Sequence, residues 1–187
     1  MELAANASWD SKSGMTRIDR HRRLYEQLVR SHAGDLYRFA YRLCGHAEMA
    51  DDLVQETFFE AWRSIKSLRD PSRGKSWLFQ ILRYRRAHGI RDRSRRVQAT
   101  VGIDQLDNIS DGAGADILVK LSNQELLQRA LDALNERYKE PFLLVFLEDF
   151  TCREAAESLN IPLGTVLSRI HRARQLLRRF LRQLDPA

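Results

Sequence analysis

Apolar residues return every three or four positions along most of the chain, the spacing of one face of an α-helix, and almost nothing alternates as a strand would. From His21 to Leu43 the apolar set is Leu24, Leu28, Leu36, Phe39, Ala40 and Leu43, with Gly34 a weak point and Gly45 the expected end. A second helix is expected from Ala47 to Ser64, turning Leu53, Val54, Phe58, Ala61 and Trp62 inward. Asp70-Pro71-Ser72-Arg73-Gly74 reads as a loop, and a third helix follows from Lys75 to Arg95 with Trp77, Leu78, Ile81 and Leu82 apolar. Ser122 and Glu125 have capping-box spacing and open a helix whose buried stripe is Leu126, Leu127, Ala130, Leu131 and Leu134. The next helix covers Glu136 to Asp149. Pro141 moves its expected start to Glu140, because proline is accommodated in a first turn.

The most strongly patterned stretch is the last. Thr151 with Glu154 repeats the capping-box spacing, so a helix begins at Cys152 and carries Ala155, Ala156 and Leu159 on a small apolar face. Asn160-Ile161-Pro162 stops it, since proline disfavours a helical residue before it and has no N–H to give. A second helix starts near Leu163, with Val166, Ile170, Ala173 and Leu177 spaced to pack against the first. Two short elements crossing through small residues make a helix-turn-helix. The opposite face holds Gly164, Thr165, Ser168, Arg169, His171, Arg172 and Gln175, and no acid follows Arg169 until Asp185. A solvated helix ordinarily mixes signs for i,i+4 support. Arginine instead forks onto a guanine edge, and serine or threonine bonds phosphate or base, so this face reads as a DNA-binding surface.

Composition narrows the choice. The 187 residues carry a formal charge of +6, which favours a polyanionic partner, and 43% are hydrophobic, which suffices for compact helical cores. No apolar run approaches the roughly 18 residues of a membrane-spanning helix, so direct membrane insertion is not expected. The opening MELAANASWDSKSG is polar, without an apolar signal core; residues 1–20 are expected to be a flexible segment and the chain to be cytoplasmic. Cys44 and Cys152 lie far apart without a CxxC pair; Cys44 and His46 alone would not complete a zinc site, and Cys152 reads as a buried free thiol. No glycine-rich phosphate loop, metal cluster or nucleophile–base pattern appears, which argues against an enzyme and calls for no cofactor.

Charge is unevenly distributed, and that divides the chain. The second helix opens on Glu48, Asp51, Asp52, Gln55 and Glu56. Dipole complementarity, worth about 0.3–1 kcal/mol per acid, accounts for one or two of these better than for four. The third helix runs into Arg83, Arg85, Arg86, Arg91, Arg93, Arg95 and Arg96, interleaved with Trp77 and Tyr84. Aromatics beside phosphate-binding cations hold single-stranded nucleic acid, although Trp77 by itself reads equally well as a core residue. From Gln98 to Val119 there are four aspartates, no Lys or Arg and the run Gly112-Ala113-Gly114-Ala115, a linker by composition. The expected fold is therefore all-α: a helical domain over residues 21–97, an acidic flexible linker over 98–120 and a helix-turn-helix domain over 121–187.

Three segments carry a family resemblance: ADDLVQETFFEAWRSI (Ala50 to Ile65), SWLFQI (Ser76 to Ile81) and LNIPLGTVLSRIHRAR (Leu159 to Arg174). Across Leu24 to Leu181, apart from the linker, the chain resembles a bacterial sigma-70-family factor of the extracytoplasmic-function (ECF) type, which retains only regions 2 and 4. The resemblance implies a subunit that binds core RNA polymerase, directs it to promoters and initiates transcription without catalysing anything itself. It places Asp51, Asp52, Gln55 and Glu56 on the clamp helices of the polymerase β′ subunit, and region 4 against the β flap. It places Trp77, Arg83, Tyr84, Arg85 and Arg86 on the melted minus-10 element, within the strand-opening segment from Ser67 to Arg96. Thr165, Ser168, Arg169, His171 and Arg172 would read the minus-35 duplex in the major groove. The linker would thread towards the active site, and an anti-sigma protein is the implied regulator. The chain departs from the family at Tyr84, where Asn is frequent, and at His88, where Asp is frequent, so no minus-10 base preference is carried over. Asn135 also replaces a frequent Pro, a harmless change given that Asn caps helices well. The alternative class is a stand-alone helix-turn-helix regulator. It would need one DNA surface and symmetric half-sites, and it leaves the basic helix and the acidic cluster unexplained.

Overall fold

The structure, a computed structural model, describes residues 16–94 and 124–184. The expected linker over 98–120, the Ser122 cap and most of the 1–20 segment lie outside the described residues, which are helical and contain no strand. The helices are α1 (Arg17–Cys44), α2 (Ala47–Ser64), α3 (Gly74–Ser94), α4 (Gln124–Asp132), α5 (Glu136–Phe146), α6 (Cys152–Leu159) and α7 (Leu163–Leu184). Short 3₁₀ turns at Ile65–Ser67 and Pro71–Arg73 join α2 to α3.

The expected boundaries hold where a cap specifies them. Gly45 ends α1 in the left-handed region at φ 75°, its N–H bonding the Tyr41 carbonyl at 2.8 Å. Helix α1 starts four residues before His21 because Thr16 and Asp19 form a reciprocal capping box. A single glycine at 34 does not interrupt so long and well capped a helix. Thr151 and Glu154 make the same box at the start of α6, and Asn160, at φ 51°, turns the chain into α7.

Two expectations are corrected. Helix α5 begins at Glu136 and not at Glu140, because the Asn135 side chain accepts the Arg137 N–H at 3.1 Å and nucleates the turn there. Pro141 therefore sits within the helix, where burial of Pro141, Phe142, Leu143 and Leu144 outweighs the missing backbone bond. Trp62 does not turn inward: it is 44% exposed, its ring edge-on to Tyr25 at 5.1 Å between centroids. Buried Thr57 takes an inward position instead, its hydroxyl donating to the Leu53 carbonyl at 2.7 Å.

Helices α1, α2 and α3 pack on one another, while α7 packs on α4, α5 and α6. The two halves do not stand apart: α5 also packs on α1, α6 on α3, and the buried residues form one continuous cluster from Leu28 to Leu177. Phe79 of α3 shows how; its ring meets Phe39 of α1 at 5.0 Å and Phe150, in the loop before α6, at 5.2 Å.

Gly74 marks the tightest approach within the N-terminal half. A Cβ there would lie 2.3 Å from Cδ2 of Leu28, which is itself buried and cannot swing into solvent. Gly74→Ala is expected to cost about 1–3 kcal/mol through overpacking, read as a lower urea midpoint with an unchanged slope.

Candidate nucleic-acid and polymerase interfaces

The duplex-reading candidate is the outer face of α7. Val166, Ile170, Ala173 and Leu177 are all buried, which fixes the rotation of the helix and turns Thr165, Ser168, Arg169, His171 and Arg172 away from the core. The Ser168 hydroxyl bonds the Thr165 carbonyl at 3.0 Å. Gln175 bridges the Arg172 guanidinium, at 3.1 Å, to the His171 ring, at 3.0 Å, so three polar side chains are held as one row. Among the described residues no carboxylate lies within ion-pair distance of Arg169 or Arg172. Sequence reading missed the exposed apolar residues on the same helix: Leu163 and Leu167 stand 40% and 50% exposed. Leu167 falls one position after Val166, off the buried stripe, which is the signal that could have identified it.

The strand-holding candidate on α3 is arranged differently. Tyr84 is 61% exposed, with its ring 4.2 Å from that of His88, so it offers a free stacking face. Trp77 is half-buried and packed against the core, as its place in an apolar run equally allows. The three arginines are all engaged by carboxylates. Arg83 Nε lies 3.2 Å from Glu140 Oε2, and its Nη1 donates to the Ser158 carbonyl. Arg86 pairs with Glu140 at 3.2 Å and also with Glu136. Arg85 pairs with Glu56 at 3.3 Å. For Arg91 and Arg93 only the helical backbone is described, and Arg95 and Arg96 lie outside the described residues.

On α2, Asp51, Asp52, Gln55 and Glu56 are exposed together along one edge. Exposed Phe59, at 61%, and Trp62 continue that edge towards the C-terminal end, giving an acidic start and an aromatic finish. Sequence reading identified the acids but not the aromatic half, because Phe59 and Trp62 sit among Phe58 and Ala61 in an apolar-looking run. The Arg85–Glu56 pair brings the acidic edge against α3. Asp52, Glu56, Arg85, Arg86 and Glu136 all line one cleft of about 310 Å³, floored by Leu43 and Leu53. Two surfaces read separately from sequence thus share a boundary.

Among the described residues no group of His, Cys, Asp or Glu is placed to hold a metal ion, and no helix is long and apolar enough to cross a membrane. Neither Cys44 nor Cys152 forms a disulfide, and both are half-buried.

Comparison with known proteins agrees with this geometry. Residues 28–96 match the family described as Sigma-70 region 2, and residues 124–177 match Sigma-70, region 4. The ECF RNA polymerase sigma factor SigW of Bacillus subtilis is 30% identical over 168 residues, covering 86% of this chain and 90% of SigW. SigE of Mycolicibacterium smegmatis, also an ECF RNA polymerase sigma factor, is 36% identical over 160 residues; the match takes in 84% of this chain and spans 61% of SigE. Among solved structures, the sigma factor RpoE of Bartonella quintana, in complex with the anti-sigma factor NepR, superposes with a TM-score of 0.68 at 31% identity, over 86% of this chain and 98% of RpoE. With region 2 on the acidic and basic helices, region 4 on the helix-turn-helix and relatives matched along most of both, the chain belongs to the ECF group of the sigma-70 family of RNA polymerase sigma factors.

Proposed function

We propose that this chain is a promoter-specificity subunit whose three surfaces divide the work. The α2 edge docks core RNA polymerase on the β′ clamp helices through Asp51, Asp52, Gln55 and Glu56, with Phe59 and Trp62 supplying apolar contact. The α3 face, through Tyr84, Arg83, Arg85, Arg86 and the flank of Trp77, holds the melted minus-10 strand. The α7 face reads the minus-35 duplex through Thr165, Ser168, Arg169, His171 and Arg172, while region 4 rests on the β flap. The chain performs no catalysis itself and works in the cytoplasm. The likeness to RpoE in its complex with NepR supports an anti-sigma partner for this chain too.

The observation that carries the reading is the placement of Arg169 and Arg172 on the outer face of α7. Arg169 and Arg172, which no carboxylate neutralises among the described residues, lie on a helix face held outward by a buried stripe and match a major-groove reader, in which arginine forks onto guanine. The docking edge is tested by Asp52→Arg. Asp52 is exposed on the outer edge of α2, so the reversal should leave helicity intact and lower affinity for core polymerase by about tenfold or more, the scale of one lost charged contact. Unchanged co-purification with core would remove Asp52 from the interface.

A further inference from the structure

The carboxylates facing Arg83 and Arg86 belong to the other half of the chain. Glu136 and Glu140 lie on α5, fifty or more residues away, and Glu140 accepts from both arginines at once. The Arg86 side chain is 9% exposed, Arg83 21% and Glu140 20%, so the Glu140 pairs are largely withdrawn from water, unlike surface ion pairs of little worth, while Glu136 is 57% exposed and closes the pair with Arg86 at the rim. A guanidinium donating to carboxylate oxygens uses the same N–H groups that it offers to a phosphate. Arg73, in the turn before α3, pairs at the surface with Glu157 of α6.

Beside these pairs lies an apolar centre. Lys75 of α3 donates to the Glu148 carbonyl at 2.6 Å and stands over the rings of Phe79, at 5.9 Å, and Phe150, at 5.4 Å. Buried aromatic residues rimmed by charge-assisted bonds are the anatomy of a specific interface. The pairing is also selective: it takes the arginines of α3 and leaves Arg169 and Arg172 of α7 without a carboxylate among the described residues.

We propose that the free chain masks its own strand-binding face: the acidic edge formed by Glu136 and Glu140 takes the place of nucleic-acid phosphates on Arg83 and Arg86, and the halves must part before α3 can engage DNA. The proposal rests on the assignment of α3 to the minus-10 strand. Because Glu136 also borders the cleft lined by Asp52 and Glu56, closure narrows access to the polymerase-docking edge as well. Opening is thus coupled to assembly: core polymerase and single-stranded DNA both select the parted state, and each facilitates binding of the other.

The test is the double variant Glu136→Lys/Glu140→Lys in the full chain, with Glu136→Gln/Glu140→Gln as a milder companion and circular dichroism to establish unchanged helicity. Small-angle scattering should show the Lys variant expanded relative to the parent chain. Its apparent affinity for core polymerase should rise by about tenfold, the gain when a competent state goes from about a tenth of the population to nearly all. Adding Arg83→Glu and Arg86→Glu should restore the compact scattering profile by swapping the pairs. Scattering curves and core affinities identical to the parent chain, in both the Lys and the Gln variants, would overturn the proposal. The underlying assignment has a separate readout. If holoenzyme carrying Arg83→Ala/Arg86→Ala melts promoter DNA with unchanged permanganate reactivity of unpaired thymines, the minus-10 role of α3 is wrong, whatever scattering shows about closure.

Discussion

Replacing Arg172 by alanine is expected to lower the affinity of the holoenzyme for a cognate promoter by about 10- to 100-fold, the equivalent of about 1–3 kcal/mol for one bidentate base contact. The loss should be concentrated at one base pair of the minus-35 element, so that sequence preference relaxes there and persists elsewhere. Arg172 is aimed by Gln175, which holds its guanidinium at 3.1 Å. Gln175→Ala should therefore reproduce part of the effect without changing the charge. Were Arg172 a phosphate contact only, affinity would fall evenly over all sequences and the salt dependence would flatten. A variant with unaltered affinity and unaltered preference would show that α7 does not read the duplex through this residue.

The second large effect is on stability and concerns Glu148, which is 2% exposed in the seam between the halves. Neither of its carboxylate oxygens has a hydrogen-bond partner, and Lys75 Nζ stands 3.8 Å away, beyond hydrogen-bond range. Burial pushes its pKa from 4.5 up to about 7; Lys75 and Arg38 oppose the rise, while Asp35 and Asp149 add to it. A carboxyl raised in the folded state contributes its stability fully below about pH 4.5, and that contribution is lost as pH rises through about 7. Glu148→Gln should consequently be more stable than the parent at pH 8, by on the order of 3 kcal/mol, since each tenfold change in proton affinity is worth about 1.4 kcal/mol. The two should converge towards pH 4.5. His32, depressed by burial, titrates in the opposite sense in both proteins and cancels in the comparison. Urea denaturation from acid to mildly alkaline pH checks this; parallel profiles for the two proteins would mean that Glu148 is not held protonated by its surroundings.

Local structure was legible in the sequence wherever a short-range rule decides it. The α6–turn–α7 unit was readable to the residue because the Thr151–Glu154 box, Pro162 and the Val166-to-Leu177 stripe are all local signals. The α2 boundaries were equally plain. Helix α5 was misplaced at its start because proline is a strong local signal, whereas the burial that overrides it is tertiary. Trp62 was misplaced because an aromatic residue in an apolar run satisfies helical periodicity whether it packs inward or lies across the helix edge. The partners of Arg83 and Arg86 were beyond reach for a different reason. Glu136 and Glu140 look like any exposed helix acids, and nothing in periodicity says which distant cation will face them. The candidate surfaces could thus be told apart from residue types, but not their shared boundaries.

If this chain is a promoter-specificity subunit, core RNA polymerase must gain from it a preference that core otherwise lacks. Transcription of genomic DNA by core polymerase, with and without the purified chain and with sequencing of transcript 5′ ends, measures that gain itself. A new set of start sites should appear, upstream of which two sequence blocks recur at minus-35 and minus-10 with a fixed spacing, and Arg172→Ala should weaken the set and relax the minus-35 block at one position. Start sites unchanged by the chain, together with tight binding of the chain alone to a palindromic duplex, would contradict this function and favour a stand-alone regulator.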